Sequence, residues 1–298
     1  MDRVTNQTMA ATAQRNLQAS LQQMARLQEQ GSSQKRILTP SDDPRGTADV
    51  IAVRSQQRAA EQHGRNIDNG TGWLTTVDSA LGNATDILQS ALQRTLQGAN
   101  DGALGQEAKN ALAIEIDGLR DALLKEANAT YLGRSVFAGS SDAGRAFSDA
   151  GAEPPYAWTG TPGRTVDRKV AEGVTVRVDA DGAAAFGEGE ASVFALLDGI
   201  AADLRAGTPV SGRIDAVRDA LDGVIAAHAT VGAQHGQLQR AESVLKTTEV
   251  DLEAQRSKAE DIDLAKVILD LNVQSTVYQA ALNVTARVLQ PSLMDFLR

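Results

Sequence analysis

Two long stretches without proline set the strongest limit on how this chain folds. No proline occurs between Pro44 and Pro154, and none occurs between Pro209 and Pro291. Proline breaks a helix because it lacks an amide donor and clashes with the preceding turn, so both stretches are free to form long helices. Their apolar residues also recur at steps of three, four and seven, which is typical of helices that bury one face. The repeating positions are Trp73, Val77, Ala80, Ala84, Ile87 and Ala91 in the first stretch, and Ile214, Val217, Leu221, Val224, Val231, Leu238, Leu245 and Leu252 in the second.

The section between residues 139 and 190 has a different character. It holds three of the prolines, frequent glycine and several of the few aromatic residues. In "VTVRVDADG" the alternation places Val174, Val176 and Val178 on one face of a strand, and "TVDRKV" upstream is a candidate partner strand. We predict a small β insertion at the tip of a helical hairpin, with a disordered loop as the alternative.

Both ends of the chain carry an apolar stripe with the spacing of a coiled coil. We refer to these positions together as the assembly seam; its members are Leu17, Leu21, Met24 and Leu27 near the N-terminus and Leu264, Ile268, Leu271, Tyr278, Leu282, Leu289 and Phe296 near the C-terminus. Two interpretations remain open. The two helices close an antiparallel pair within one monomer, or they have too little core alone and become ordered when neighbouring subunits surround them.

These patterns predict a mainly α fold. It is an elongated bundle of long coiled-coil-like helices formed by the N- and C-terminal regions, with a small β-rich insertion in the middle. The helix starting near residue 46 should run to about residue 98, about 80 Å at 1.5 Å per residue. The predicted parts are an N-terminal assembly helix and turn over 1–43, a long helical hairpin over 44–138, the β insertion over 139–190, the second half of the helical domain over 191–262 and a C-terminal assembly helix over 263–298.

Composition excludes several classes of protein. The net charge is -9 and Lys and Arg do not cluster, whereas a nucleic-acid-binding protein needs clustered cations to contact phosphates. No apolar run approaches the roughly 20 residues needed to span a bilayer, so membrane insertion is not expected. The first thirty residues lack the apolar region of a classical signal peptide. With no cysteine, the chain has neither disulfides nor thiolate chemistry.

The segment "TPSDDPRG" has the composition of a helix-capping turn. Asp43 can accept a backbone N–H at the start of a helix, Pro44 suits the first helical position, and Asp42 places negative charge near the positive end of the helix dipole. The adjacent carboxylates lack the spaced oxygen ligands of a calcium loop, so we interpret them as a cap.

No pattern in the chain predicts catalysis or a cofactor. His228 and His235 are seven residues apart, about 10.5 Å along one helix, which is too far for both to bind one metal ion. No nucleophile motif and no phosphate-binding loop occur, and "GTGW" at residues 70–73 is too slight to indicate a nucleotide site. We therefore predict a non-enzymatic protein with no metal and no cofactor.

Two blocks of sequence resemble a known family. The N-terminal block "QKRILTPSDDPRGTADVIAVRSQQRAAEQHGRNIDNGTGWLTTVDSAL" and the C-terminal block "AEDIDLAKVILDLNVQSTVYQAALNVTARVLQPSLMDFL" are similar to the two ends of the flagellin superfamily, in the same order. Within it, "SDDP", "YLGRSVFAGSSD" and the ending "SLMDFL" resemble hook-filament junction subunits more than flagellins. The order of residues in "YLGRSVFAG" departs from the "GRYLFAG"-like order more usual in that family.

The resemblance implies a structural role. It implies an adapter at the hook-filament junction of the bacterial flagellum, with flagellin, the bulk filament subunit, as the alternative. Implied partners are sister subunits in a homo-oligomeric ring, the first hook-associated protein, flagellin and a cytoplasmic export chaperone. The implied location is extracellular, in the flagellum, after export through the flagellar type III channel. An adhesin or enzyme carried on a coiled coil is a third hypothesis, for which the residues supply no site.

Overall fold

A computed structural model describes residues 6–100 and 105–288. The described helices and strands are α1 Asn6–Ser33, α2 Pro44–Gly98, α3 Gln106–Ala127, β1 Thr130–Tyr131, β2 Arg134–Ser135, β3 Asp167–Ala171, β4 Val174–Arg177, α4 Gly182–Phe186, α5 Val193–Ala206, α6 Ile214–Glu260 and α7 Leu264–Val288. The mainly helical fold with a small β region in the middle is as predicted. The chain divides into a terminal unit, made of the described residues within Met1–Ala59 and Glu249–Arg298, and a central unit, Ala60–Thr248.

The proline-free stretches form the two longest helices. α2 has 55 residues and α6 has 47, and the predicted helix over about 46–98 is confirmed with a start two residues earlier. In the central unit α6 buries a row of residues seven apart, namely Val217, Val224, Val231 and Leu238. The row packs in one core with Leu74, Val77, Leu81 and Leu88 of α2. Most of the periodic apolar positions read from the sequence therefore lie in the core of the central unit, whereas Leu252 is buried in the terminal unit.

The "GTGW" segment lies inside α2 and serves packing. Gly72 leaves room for a side chain from the β region, because a Cβ there would lie 2.4 Å from Tyr131 Oη. The next residue, Trp73, is 2% exposed, and its ring centroid is 5.8 Å from that of Tyr131. The glycine therefore allows Tyr131 to approach the helix closely.

Two antiparallel hairpins make up the β region. The predicted strands "TVDRKV" and "VTVRVDADG" are confirmed as β3 and β4, with Arg168 opposite Val176 in the register. Val176 and Val178 are buried as expected, whereas Val174 beside the turn is 48% exposed. The other hairpin, β1 with β2, begins at Thr130, before the residue at which the sequence placed the insertion.

The β region shares its core with α5. Four phenylalanines and one tyrosine contact one another with ring centroids 5.2 to 6.0 Å apart; they are Phe137, Phe147, Tyr156, Phe186 and Phe194. Ser192 caps α5 by accepting a hydrogen bond from the Ala195 amide at 3.2 Å, and Gly207 ends the helix in the left-handed conformation. The scarce aromatic residues are thus concentrated where the β region meets α5.

A polar cluster ties α3, α5 and the β region together. The Tyr156 hydroxyl donates to Asp198 Oδ2 at 2.5 Å and accepts from Arg120 at 2.9 Å, and Arg120 also forms an ion pair with Asp198. Burial, together with the hydrogen bond to the Asp198 carboxylate, raises the pKa of Tyr156 to about 12. The neutral phenol is therefore the form that the fold stabilises.

This pKa shift leads to a prediction for alkaline solution. The ordinary tyrosine pKa is about 10, so the stabilisation is complete below pH 10 and is lost as the pH rises towards 12. A Tyr156→Phe variant should be less stable near neutral pH, by about 1.5–3 kcal/mol for a hydrogen bond to a charged group. Its stability should also decline less between pH 10 and 12. Urea unfolding followed by the fluorescence of Trp73 and Trp158 measures both effects, since both tryptophans lie in the central unit.

The matched control is Tyr278→Phe, which removes a phenol in the terminal unit. It should leave the alkaline decline of the central unit unchanged. If Tyr156→Phe showed the wild-type decline between pH 10 and 12, the cluster would not be the origin of the pH dependence.

In the terminal unit α1 packs along α7. The segment after α1 also contacts the end of α6 and the residues that follow it. The Arg36 amide donates to the Glu260 carbonyl at 2.7 Å, the Ile262 amide donates to the Gln34 carbonyl at 3.4 Å, and Lys35 and Asp261 form an antiparallel bridge. The two terminal helices therefore pair within one chain. Among the described helices, none is both long enough and apolar enough to cross a membrane.

Candidate assembly surface

The turn before α2 places each of the three predicted capping residues. Asp43 Oδ1 accepts the Gly46 amide at 2.8 Å, and α2 begins at Pro44. Asp42 instead caps its own turn, because its Oδ2 accepts the Thr39 amide at 2.9 Å. Hydrogen bonding from Thr39 lowers the pKa of Asp42. The two carboxylates thus stabilise consecutive parts of one ordered connection between α1 and α2.

A buried carboxylate that the sequence reading missed holds this connection to the end of α6. Glu260 is 3% exposed, and its carboxylate lies 2.7 Å from Lys35 Nζ and 2.6 and 2.9 Å from the guanidinium of Arg54. Arg256 approaches it at 3.5 Å. The hydrogen bond from Lys35, followed by that from Arg54, lowers the pKa of Glu260. We call Glu260, Lys35, Arg54 and Arg256 the Glu260 cluster.

Part of the predicted assembly seam faces the partner helix within the chain. Leu27 is buried, and Leu17, Met24, Leu271 and Tyr278 are half-buried. The contact also includes positions that the sequence reading did not select. Val267 is 9% exposed and lies 3.8 Å from the position of a Cβ on Gly31, and Gln274 Nε2 donates to Ser20 Oγ at 2.8 Å.

The rest of the predicted seam is not covered by the chain itself. The exposed fractions of four seam residues range from 43% to 51%; these residues are Leu21, Leu264, Ile268 and Leu282. Leu289 and Phe296 lie outside the described residues. The structure therefore separates the predicted stripe into positions that contact the partner helix and positions that remain in solvent.

α7 carries a second exposed apolar strip that the sequence reading did not identify. It consists of Leu269, Val273, Val277 and Val284, which are 49% to 63% exposed. At about 100° per residue, this strip lies about 200–280° around the helix from buried Val267, whereas Leu264, Ile268 and Leu282 lie at about 60–100°. We call these two groups the α7 strips: the first strip is Leu264, Ile268 and Leu282, and the second is Leu269, Val273, Val277 and Val284. The signal was present in the sequence as steps of four and seven from Leu269.

The two α7 strips lie on either side of the stripe that contacts α1. A helix that is apolar on most of its circumference is normally buried, because exposed apolar surface is unfavourable in water. Among the described residues of the terminal unit, α1 is the helix that packs along α7, and it covers one face. The arrangement therefore fits a helix whose remaining faces contact other protein chains.

The described residues hold no cluster that suits metal binding. No group of three or more His, Asp or Glu side chains in that part of the chain is arranged to hold a metal ion. His228 Nε2 lies 2.8 Å from Asp78 Oδ1, and Glu242 forms an ion pair with Lys246. The candidate site is therefore the apolar surface of the terminal unit.

Comparison with known families matches both ends of the chain. The model of the bacterial flagellin N-terminal helical region matches residues 4–142, and that of the C-terminal helical region matches residues 214–297. Together they cover about three quarters of the chain. The matched regions hold α1 to α3 and the β1–β2 hairpin at one end and α6 and α7 at the other.

Individual relatives differ in how much of the chain they match. "Flagellar hook-associated protein 3" of Escherichia coli K12 is 27% identical over 307 residues, covering 94% of both chains. "Polar flagellin F" of Vibrio parahaemolyticus is 31% identical over 130 residues, covering 44% of this chain and 34% of the flagellin. Among solved structures, FlgL of Xanthomonas campestris has the same fold, with a TM-score of 0.62 at 18% identity over 69% of this chain and 99% of that one.

Proposed function

We propose, on the premise that this chain belongs to the bacterial flagellin family, that it is a structural adapter subunit at the hook-filament junction of the flagellum. The observation that carries the proposal is the extent of similarity. The hook-associated protein 3 of Escherichia coli matches over 94% of both chains, including the middle of the sequence. The role is structural and non-enzymatic.

The terminal unit supplies the physical basis for assembly. Its α7 strips expose seven large apolar side chains that α1 does not cover. Fully burying a valine or leucine contributes about 1.5–3 kcal/mol, so burial of both strips against neighbouring chains stabilises an assembly strongly. Those neighbours are sister subunits in a homo-oligomeric ring, the first hook-associated protein on one side and flagellin on the other.

The same exposed strips require protection before assembly. An unassembled chain with apolar helix faces in the cytoplasm tends to self-associate. We therefore infer that a cytoplasmic export chaperone binds the C-terminal helix, and that the chain is then exported to the extracellular flagellum. The acidic net charge and the uncovered apolar strips favour protein partners over nucleic acid.

Gene deletion with electron microscopy of the hooks tests the proposal. Cells without the gene should build hooks, release flagellin into the medium and fail to swim, because filament subunits have no adapter on which to polymerise. A plasmid copy of the gene should restore filaments. Intact filaments in the deletion strain would contradict the proposed function.

The alternative function, flagellin, is distinguished by copy number. A filament subunit is present in thousands of copies along each filament, whereas a junction adapter is confined to one end. The match to Polar flagellin F covers only 44% of this chain and 34% of the flagellin, so it supports a shared region of sequence more than a shared role. Quantifying the protein in sheared filaments separates the two functions, and a content comparable to that of the bulk subunit would favour flagellin.

A further inference from the structure

The tip of the β1–β2 hairpin combines an unfavourable backbone conformation with an exposed apolar side chain. The two turn residues, Leu132 and Gly133, have φ values of +50° and +78°. Two-residue hairpin turns with positive φ at both positions favour Asn, Asp or Gly, because a Cβ is strained there. Leu132 is nevertheless 79% exposed, more than any other large apolar side chain in the described residues. Neither the turn nor burial in the monomer accounts for a leucine at this position.

The hairpin holds Leu132 firmly in position. Tyr131, the residue before it, packs on buried Trp73 with ring centroids 5.8 Å apart. After the turn, Ser135 and Val136 are buried, and the Val136 amide donates to the Ala129 carbonyl at 3.1 Å. An apolar side chain presented on a rigid support loses little entropy on binding, which is a property of interface anchors.

A cation with a weak intramolecular partner lies beside the leucine. The Arg134 side chain is 42% exposed, and its nearest carboxylate in the described structure, Asp142, lies 3.7 Å away, beyond hydrogen-bond distance. Its guanidinium carbon lies 5.8 Å from the centroid of the Trp73 ring. The hairpin tip thus presents an apolar anchor and an adjacent positive charge.

The central unit also carries a surface with the opposite properties. A groove of 480 Å³ lies among α4, α5 and the start of α6. Buried Phe186 and Val193 line it together with half-buried Ala220. Its charged lining residues are exposed Glu190 and Asp219 and the cation Arg213, which forms an ion pair with Asp203 at 3.1 Å. Because Arg213 is already paired with Asp203, the groove combines apolar side chains with a net negative charge from Glu190 and Asp219. Leu132 of the same chain does not occupy it, because that side chain is in solvent.

We propose that Leu132 of one copy enters the groove of the next copy, with Arg134 facing the carboxylates of Glu190 and Asp219. The occupant is a second copy of this chain, because apolar shape and charge are complementary between the two surfaces. A contact between two different surfaces is head-to-tail, and such contacts close into a ring when the rotation between copies permits. The inference rests on the proposed function, in which copies are neighbours at the junction.

Disulfide cross-linking tests the contact directly, because the natural chain has no cysteine. Leu132→Cys and Ala220→Cys variants are expressed together in the deletion strain, and flagella sheared with their hooks are oxidised. We expect at least tenfold more disulfide-linked dimer than from the control pair of Leu132→Cys with Ile225→Cys. Ile225 is exposed on α6 and does not line the groove. Equal yields from the two pairs would overturn the contact.

A second variant separates assembly from folding. Leu132→Asn places a preferred residue in the turn, so the thermal unfolding midpoint of the purified protein should be equal to or higher than that of the wild type. The reference protein for this comparison carries Gly133→Cys and Ala220→Cys and keeps Leu132. Adding Leu132→Asn to it should lower the yield of disulfide-linked dimer at least tenfold. An unchanged yield contradicts the proposal.

The two proposals fail in different ways. If the deletion strain lacks filaments and the wild-type protein is present in sheared flagella, yet the cysteine pairs do not differ, the contact is wrong and the proposed function stands. If the deletion strain makes intact filaments, the proposed function is wrong, and the contact at a junction is overturned with it.

Discussion

Replacing Val273 and Val277 together by aspartate should abolish incorporation of this chain into the flagellum while leaving the free protein folded. Both side chains are about half exposed on the second α7 strip, so each has about half of its surface left to bury against a neighbour. Burying that half contributes about 1 kcal/mol for each valine, or about 2 kcal/mol in sum. A loss of that size lowers binding about thirtyfold, and two carboxylates in an apolar contact add a desolvation penalty that takes the expected loss beyond a hundredfold.

The measurement is the amount of the protein on hooks isolated from a deletion strain that carries the variant, together with swimming in soft agar. We expect fewer than one hundredth of the wild-type copies on hooks, no swimming, and exported variant protein in the medium. Circular dichroism of the purified variant should match that of the wild type, because exposed positions on α7 contribute little to the α1–α7 contact.

The matched control places the same charges on other exposed apolar positions. Ile114 on α3 is 67% exposed and Ile225 on α6 is 44% exposed, and neither belongs to the α7 strips. An Ile114→Asp, Ile225→Asp protein should assemble and support swimming. Normal swimming with the valine variant, or equal failure of both variants, would show that the α7 strips are not the surface used in assembly.

The sequence predicted the long helices and the central core well, because both depend on local periodicity. Apolar residues seven apart on α6, such as Val217 and Val224, are buried as the spacing indicates. Strand β4 was likewise recognised from the alternation of Val174, Val176 and Val178. Predicting these features does not require knowing which distant segments of the chain come into contact.

Features created by distant segments were harder to predict. Glu260 lies at the end of a long acidic and basic helix and resembles a solvated residue, yet it is buried because Lys35 and Arg54, more than two hundred positions away, converge on it. The division of α7 into covered and exposed faces also depends on where α1 lies. A heptad pattern identifies apolar positions but does not state which of them one partner helix will cover.

In the Glu260 cluster, loss of the cations should lower the free energy of unfolding more than loss of the carboxylate does. The double variant Lys35→Met, Arg54→Met should therefore destabilise the terminal unit more than Glu260→Gln. The cations are about half exposed, so water solvates them when the carboxylate is absent. The carboxylate is 3% exposed, so it becomes a buried and poorly paired charge when they are absent. Breaking a buried pair in this way costs about 3–5 kcal/mol.

Hydrogen exchange of α1 and α7 amides measures this difference in the terminal unit. A loss of about 3 kcal/mol corresponds to exchange that is more than a hundredfold faster in the double cation variant. The triple variant, which adds Glu260→Gln to both methionines, should recover part of the protection because no buried charge remains. If the Glu260→Gln protein exchanged fastest, the carboxylate would stabilise the terminal unit by more than the free energy that its desolvation costs. That result would contradict the predicted order.

The cluster also predicts how the terminal unit responds to acid. Hydrogen bonds from Lys35 and Arg54 lower the pKa of Glu260, so its ionised form stabilises the fold at pH values above its ordinary pKa of about 4.5. That stability is lost as the pH falls from the ordinary pKa through the lowered pKa, because protonation removes the negative charge that Lys35 and Arg54 bind. Wild-type α1 and α7 should therefore lose protection in acid relative to pH 7, after correction for the intrinsic exchange rate. The Glu260→Gln protein should lose less over the same range, since it has no carboxylate to protonate at this position. An equal acid response in both proteins would assign the pH dependence to another carboxylate of the terminal unit, such as Asp42, whose pKa is lowered by hydrogen bonding from Thr39.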